Sequence, residues 1–144
     1  MFTDAAGSVG FGAYFRGAWF NGKWLKHQEL TASGISIAWQ EMYAIVAAAA
    51  TWSPELQCKK IVFNTDNMSI IQAWKKRSSR DHKLMLNLIA ARGNFMIKLV
   101  HIPGKTNEIA DALSRFQVQR FRSLAPHAAL TPTPIPPNIY TLGT

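Results

Sequence analysis

A chain of 144 residues with 48% hydrophobic content and a mean hydropathy of -0.03 is long enough to bury one sizeable core. Its longest apolar run, Ala44 to Ala50, is too short to span a bilayer, and no basic, apolar and small-residue series marks an export signal at the N-terminus. The single cysteine, Cys58, excludes an internal disulfide and a multi-cysteine zinc site, which points to a reducing compartment inside the cell, cytoplasm or nucleus. Sixteen Lys and Arg stand against eight Asp and Glu, for a net charge of +8 and a pI near 10. That balance is the electrostatic footprint of a protein that meets polyanions, and nucleic acid is favoured over generic solubility charge.

In chain order, Phe2 to Asp4 reads as the end of a strand and Val9 to Phe15 as a second one. Trp19 to Leu25 reads as a third, with Arg16-Gly17 as the favoured hairpin turn and Asn21-Gly22 as its competitor. The Gly10-Phe11-Gly12 pair lacks the third glycine, helix start and acidic ribose partner of a dinucleotide-binding turn. Helical spacing follows over Ile37 to Trp52, with Ser36 as N-cap and Ser53-Pro54 as the stop. Lys60 to Asp66 is a β-branched and aromatic run ending in polar residues, as in a buried strand whose C-terminal end opens on a site. Asn67 to Lys75 reads as a helix ending in the cluster Lys75, Lys76, Arg77 and Arg80. A further helix over Asp81 to Arg92 turns Leu84, Met85, Leu88 and Ile89 inward, with Gly93 as its C-cap. Phe95 to Val100 is the last strand. Pro103-Gly104 then makes a turn, and Asn107 stands as N-cap of a helix with Asp111 one turn in. Asn107, Asp111 and Arg115 share one face of that helix, while Ile109, Leu113 and Phe116 line another. Five of the seven prolines fall between Pro126 and Pro137, which favours extended, unpacked chain.

The acids carry the chemistry. Asp4 lies on the first strand, Glu41 early in the first long helix, Asp66 at the end of a central strand and Asp111 in the last helix. Strand C-termini of an α/β sheet converge on one edge, so these four carboxylates are able to meet in one site. An isolated acid near a helix start, as Asp111 is, would only complement the helix dipole. Clustered carboxylates repel one another unless cations neutralise them, and hard oxygen ligands suit Mg²⁺ or Mn²⁺. Two such ions about 4 Å apart are a known solution for phosphodiester hydrolysis. Setting the four aside leaves 16 basic residues against 4 acidic ones, a surface suited to a phosphate backbone.

The segments Phe2 to Gly7 (FTDAAG), Gln40 to Ile45 (QEMYAI), Phe63 to Asn67 (FNTDN) and His101 to Arg115 (HIPGKTNEIADALSR) together resemble the ribonuclease H domain of retroelement reverse transcriptases. The TDN and ADALSR forms, followed by FQVQRF, look most like the DIRS-type, tyrosine-recombinase retrotransposons. The resemblance spans about residues 2 to 116. It implies an α/β, ribonuclease H-like fold: a mixed five-stranded sheet with helices on both faces. Residues 1–122 are then that domain, with a shortened first strand, and the change of composition after Phe121 makes 123–144 a proline-rich linker or tail.

Carried over position by position, the resemblance makes Asp4 the metal-bridging acid. Asp111 joins it at the ion that prepares the attacking water, and Glu41 with Asp66 holds a second Mg²⁺, which Mn²⁺ can replace. His101 matches a family histidine thought to assist proton transfer or product departure, against the alternative of a plain loop histidine. Asn67 follows a site aspartate and is a candidate for contact with sugar or phosphate, with a helix-starting role as the alternative. Trp74, Lys75, Lys76 and Arg77 are further candidates to touch nucleic acid, the other tryptophans being core. The implied activity is metal-dependent cleavage of the RNA strand of RNA:DNA hybrids, leaving 5′-phosphate and 3′-hydroxyl ends. The implied neighbour is an upstream reverse transcriptase domain, and no membrane is involved. The alternative is a catalytically inactive remnant that binds nucleic acid or acts as a spacer. An integrase-like or Holliday-junction nuclease is the third option, and the ADALSR motif disfavours it.

Overall fold

The computed structural model describes residues 1–30, 35–75 and 80–137, the side chains of 73–75, 80 and 81 aside. Lys76 and Arg77 of the basic cluster lie outside the described residues, and for Trp74 and Lys75 only the backbone is described. The five strands are β1 (Phe2–Ala6), β2 (Gly10–Phe15), β3 (Ala18–Lys23), β4 (Lys60–Thr65) and β5 (Met96–His101). The helices are α1 (Ile37–Trp52), α2 (Met68–Lys75), α3 (Arg80–Gly93), α4 (Glu108–Ser114) and α5 (Val118–Leu124). The strands form one mixed sheet in the order β3-β2-β1-β4-β5. The first three make an antiparallel meander, while β4 runs parallel to both β1 and β5.

The hairpin between β2 and β3 turns at Arg16-Gly17, whose φ angles of 51° and 85° fit the two-residue turn that matches strand twist. Asn21-Gly22 therefore lies inside β3, paired with Gly12 and Phe11. Helix α1 occupies the expected span, and Ser36 caps it by accepting the Trp39 N–H at 3.1 Å. In α3, Leu86 is buried and Leu84 is exposed, so the inward stripe is Met85, Leu86 and Ile89 rather than the one starting at Leu84. Buried His82, Met85, Leu86 and Ile89 follow i, i+3, i+4, i+7 spacing, so the face that packs on α1 is centred one residue away from the expected one. The left-handed residue after α3 is Asn94 (φ 53°) and not Gly93, which stays helical.

Alternation along the strands splits the core into two layers. Phe11, Ala13 and Phe15 of β2 face α1 and join Phe20, Trp52, Phe63 and Ile45 in the larger core. On the other side Leu113 and Ala112 of α4 pack with Phe121 of α5, Tyr14 and Trp19. Burial of these aromatic and aliphatic groups, at about 25 cal/mol per Å² of apolar surface, is the main favourable term.

The proline-bearing segment has neither helix nor strand over residues 125–137, and the expectation of unpacked chain does not fit its first dozen residues. Ala125 and Ala128 are buried against Phe121. The Ala129 and Thr133 N–H groups donate to the Gly17 and Trp19 carbonyls at 2.9 and 2.7 Å, and Trp19 Nε1 donates to the Ala129 carbonyl at 2.7 Å. Arg122 donates to the carbonyls of Ala129 and Leu130 at 2.9 and 2.8 Å. The segment thereby covers the outer side of edge strand β3, where open backbone groups would invite pairing with another chain. Proline content marked a stretch without helix or strand. It carried no information about the alanines and carbonyls between the prolines. No helix among the described residues is long and apolar enough to cross a membrane.

Candidate metal centre

The site forms where β1 and β4 part. Phe2 is in register with Asn64, so Asp4 and Asp66, each two residues further on, arrive side by side at the same sheet edge. The opening residues hold this register, with the Asn64 N–H donating to the Met1 carbonyl at 2.8 Å and the terminal ammonium to the Val62 carbonyl at 2.9 Å. Glu41 descends from the first turns of α1. Its neighbour Gln40 anchors that turn by donating to the carbonyls of Gly7 and Gln28, both at 2.9 Å.

Asp4, Glu41 and Asp66 each offer an oxygen within 4.8 Å of the others. That span is close to the roughly 4.2 Å between opposite ligands of a Mg²⁺ coordinated at about 2.1 Å. Asp4 and Glu41 are buried, at 4% and 3% exposure, and Asp66 is half-buried. The Glu41 carboxyl meets Asp4 and the Ala5 backbone, but its Oε2 is wholly buried with no hydrogen-bond partner among the described residues. A buried acceptor in this condition, beside two more carboxylates, fits a hard divalent cation.

Electrostatics agree with that fit. Burial, then the charge of Asp66, pushes the Asp4 carboxyl up to about 7, against the opposing hydrogen bond from Ser114. Burial also drives Glu41 well above the usual carboxylate range, with Asp4 and Asp66 adding to it. The metal-free pair thus retains protons that a free carboxylate would lose.

Two residues missed at the sequence level hold the acids in place. The Ser114 hydroxyl donates to Asp4 Oδ2 at 3.0 Å from the far end of α4. Asn107 is buried and makes no side-chain cap on α4; its amide donates instead to the Thr3 carbonyl at 3.0 Å and to Asp66 Oδ2 at 3.4 Å. It ties the loop after β5 to both strands that carry the site. Both residues lie in the HIPGKTNEIADALSR stretch, so the motif marked the place without showing their partners. Gly12, opposite Asp4 in the β1–β2 ladder, is the third omission. A Cβ there would sit 2.5 Å from Leu113 Cβ and 2.9 Å from the Ser114 backbone nitrogen. Its bareness lets α4 approach until Ser114 reaches Asp4. The GxG pair serves helix–sheet contact rather than a nucleotide.

The fourth expected ligand stands apart. Asp111 does not join the three-acid group: its Oδ1 accepts from Arg115 Nε at 3.0 Å and its Oδ2 from an Arg120 amino group at 2.7 Å. Burial alone would raise its pKa, but the hydrogen bonds from Arg120 and Arg115 outweigh this and hold it below the usual range. Asp111 is nonetheless near enough for its charge to raise Asp4. His101 is exposed at the end of β5, in register with Thr65, and so lies on the same sheet edge as Asp66. Asn67 starts α2, its side-chain oxygen accepting the Ser69 N–H at 2.9 Å and the Ser69 hydroxyl as well. That is the helix-starting role, and it leaves the side-chain oxygen engaged.

The chain is thus an α/β protein with a mixed five-stranded sheet and a buried acidic triad at the strand ends. A scan against protein-family models finds no match, and neither does a search of curated proteins or of solved structures.

Proposed function

We propose that this chain is a divalent-cation-dependent phosphodiester hydrolase with a ribonuclease H-like fold. More particularly, it cleaves the RNA strand of RNA:DNA hybrids as the ribonuclease H domain of a retroelement reverse transcriptase, of the DIRS type by its motifs. The observation that carries this reading is the convergence of Asp4, Glu41 and Asp66 within 4.8 Å, with Glu41 Oε2 buried and unpartnered. The four motif segments, the strand order and the net charge of +8 support it.

In this reading Asp4, Glu41 and Asp66 hold Mg²⁺, with Mn²⁺ able to replace it, and Asp111 completes the ligand set for a second ion. The cation supplies Lewis-acid activation of water and neutralises charge on the phosphodiester. Asp4 would bind the cation as a carboxylate, and the Ser114 hydroxyl, donating to its Oδ2, keeps that oxygen oriented. Asn107 does the same for Asp66, because one amide spans Thr3 and the carboxylate. His101, exposed on the same edge, accepts or returns a proton as the product leaves. The 2′-hydroxyl distinguishes the strand to be cut.

Cleavage of end-labelled RNA:DNA hybrid, compared with duplex DNA in Mg²⁺ and in Mn²⁺, tests the proposal. The expected result is cuts confined to the RNA strand and lost with chelator. Asp66→Asn abolishes cleavage and leaves hybrid binding largely intact. Folded protein that binds hybrid without cutting it in either metal would instead identify an inactive, nucleic-acid-binding remnant, and cutting of duplex DNA would identify a different nuclease.

A further inference from the structure

Asp111 is the acid whose partners differ in kind from those of the other three. Asp4 and Glu41 are buried among carboxylates, whereas both oxygens of Asp111 are engaged by guanidinium groups, at 3.0 Å from Arg115 and 2.7 Å from Arg120. The two arginines come from different elements. Arg115 follows α4 directly, four residues after Asp111, and Arg120 projects from α5. Arg120 is itself steadied by the Gln117 side-chain oxygen at 2.9 Å. Helix α5 is anchored independently, through Phe121 packed on Trp19 at 5.0 Å between ring centroids. The two arginines neutralise Asp111 where it stands, outside the three-acid group.

We propose that Arg115 and Arg120 are positioning residues that form a latch on Asp111, withholding it from the triad until a divalent cation competes for its carboxylate. This rests on the reading of the triad as a metal site. On cation entry both hydrogen bonds to Asp111 break and its oxygens turn toward the ion. Loading the Asp111-dependent ion therefore works against the latch, and weakening the latch tightens metal binding. Two part-exposed ion pairs, one to each oxygen of Asp111, set the size of the effect at about threefold to tenfold in affinity.

Titration of the full chain with Mn²⁺ alone, followed by calorimetry and by the loss of free-Mn²⁺ paramagnetic signal, reads this without any activity assay. Arg120→Gln, and separately Arg115→Gln, are expected to bind Mn²⁺ about threefold to tenfold more tightly than wild type. In an Asp111→Asn background neither substitution changes the affinity, because the latch has nothing to hold. An unchanged affinity in both single variants overturns the latch. An equal gain with and without Asp111 also overturns it, showing simple removal of positive charge. Wild-type binding that Asp66→Asn abolishes, with no response to either arginine, removes the latch and leaves the metal site standing. Absence of Mn²⁺ binding in every variant removes both.

Discussion

Replacing Asp4 by Asn is the perturbation whose consequence follows most directly from the burial of the site. Asp4 is 4% exposed and its carboxyl is pushed up to about 7 by burial and by Asp66, from an ordinary value of 3.8. A carboxyl raised on folding binds its proton more tightly in the folded chain, so its stabilising effect is complete below the unfolded value. The effect is lost as pH rises through the folded one. Without metal, the protein should therefore lose stability steadily between about pH 4 and pH 7. A rise of this size corresponds to roughly 4 kcal/mol, shared among the carboxyls that titrate together. Asn keeps the shape and still accepts the Ser114 hydroxyl but carries no charge to desolvate. Asp4→Asn should match wild type near pH 4 and exceed it at pH 8 by about 3–4 kcal/mol, or roughly 10 °C in Tm. Urea denaturation in chelator at several pH values measures this. A flat wild-type profile, or a variant no more stable than wild type at pH 8, would refute the reasoning. Because Glu41 titrates with Asp4, the wild-type fall should be broader than that of a single carboxyl.

Other substitutions test the geometry around the acids. Gly12→Ala forces a methyl against Leu113 Cβ and the Ser114 backbone and should cost about 1–3 kcal/mol in urea denaturation; a neutral result would mean α4 shifts freely. Asn107→Ala leaves the Thr3 carbonyl without its side-chain donor and frees Asp66, and should cost about 1–3 kcal/mol while weakening Mn²⁺ binding. If stability falls but Mn²⁺ affinity does not, its hold on Asp66 is immaterial to the site. Deleting residues 125–144 uncovers Trp19 and the edge of β3, and should lower the thermal midpoint and promote association on size-exclusion chromatography. An unchanged monomer with an unchanged midpoint would show that this cover is dispensable.

Much of this architecture could be read from the chain because its local signals agree with its tertiary structure. Ser36 and Ser53-Pro54 bounded α1 correctly, since capping and chain termination are local effects. The β-branched run before Asp66 announced strand β4 for the same reason, but the strand is buried on one face only: Ile61, Phe63 and Thr65 are buried, whereas Lys60 and Val62 are exposed. What escaped sequence reading depends on partners distant along the chain. Asn107 has the residue type of an N-cap, and only the position of Thr3, 104 residues earlier, diverts its amide to the strand. Gly12 looks like flexible punctuation until Leu113 is seen against it. Asp111 was grouped with the other acids by its place on a helix face, and that placement says nothing of Arg120, which approaches from the next helix.

The proposed role of Asp4, Glu41 and Asp66 is to hold a divalent cation together. Crystals of the full chain grown with Mn²⁺ at pH 8, with diffraction recorded at the manganese absorption edge, test it most directly. The expected result is an anomalous peak coordinated by oxygens of all three carboxylates, with Glu41 Oε2 engaged by the ion. A triad that remains free of anomalous density at saturating Mn²⁺, with its three carboxyl groups still gathered, would contradict it.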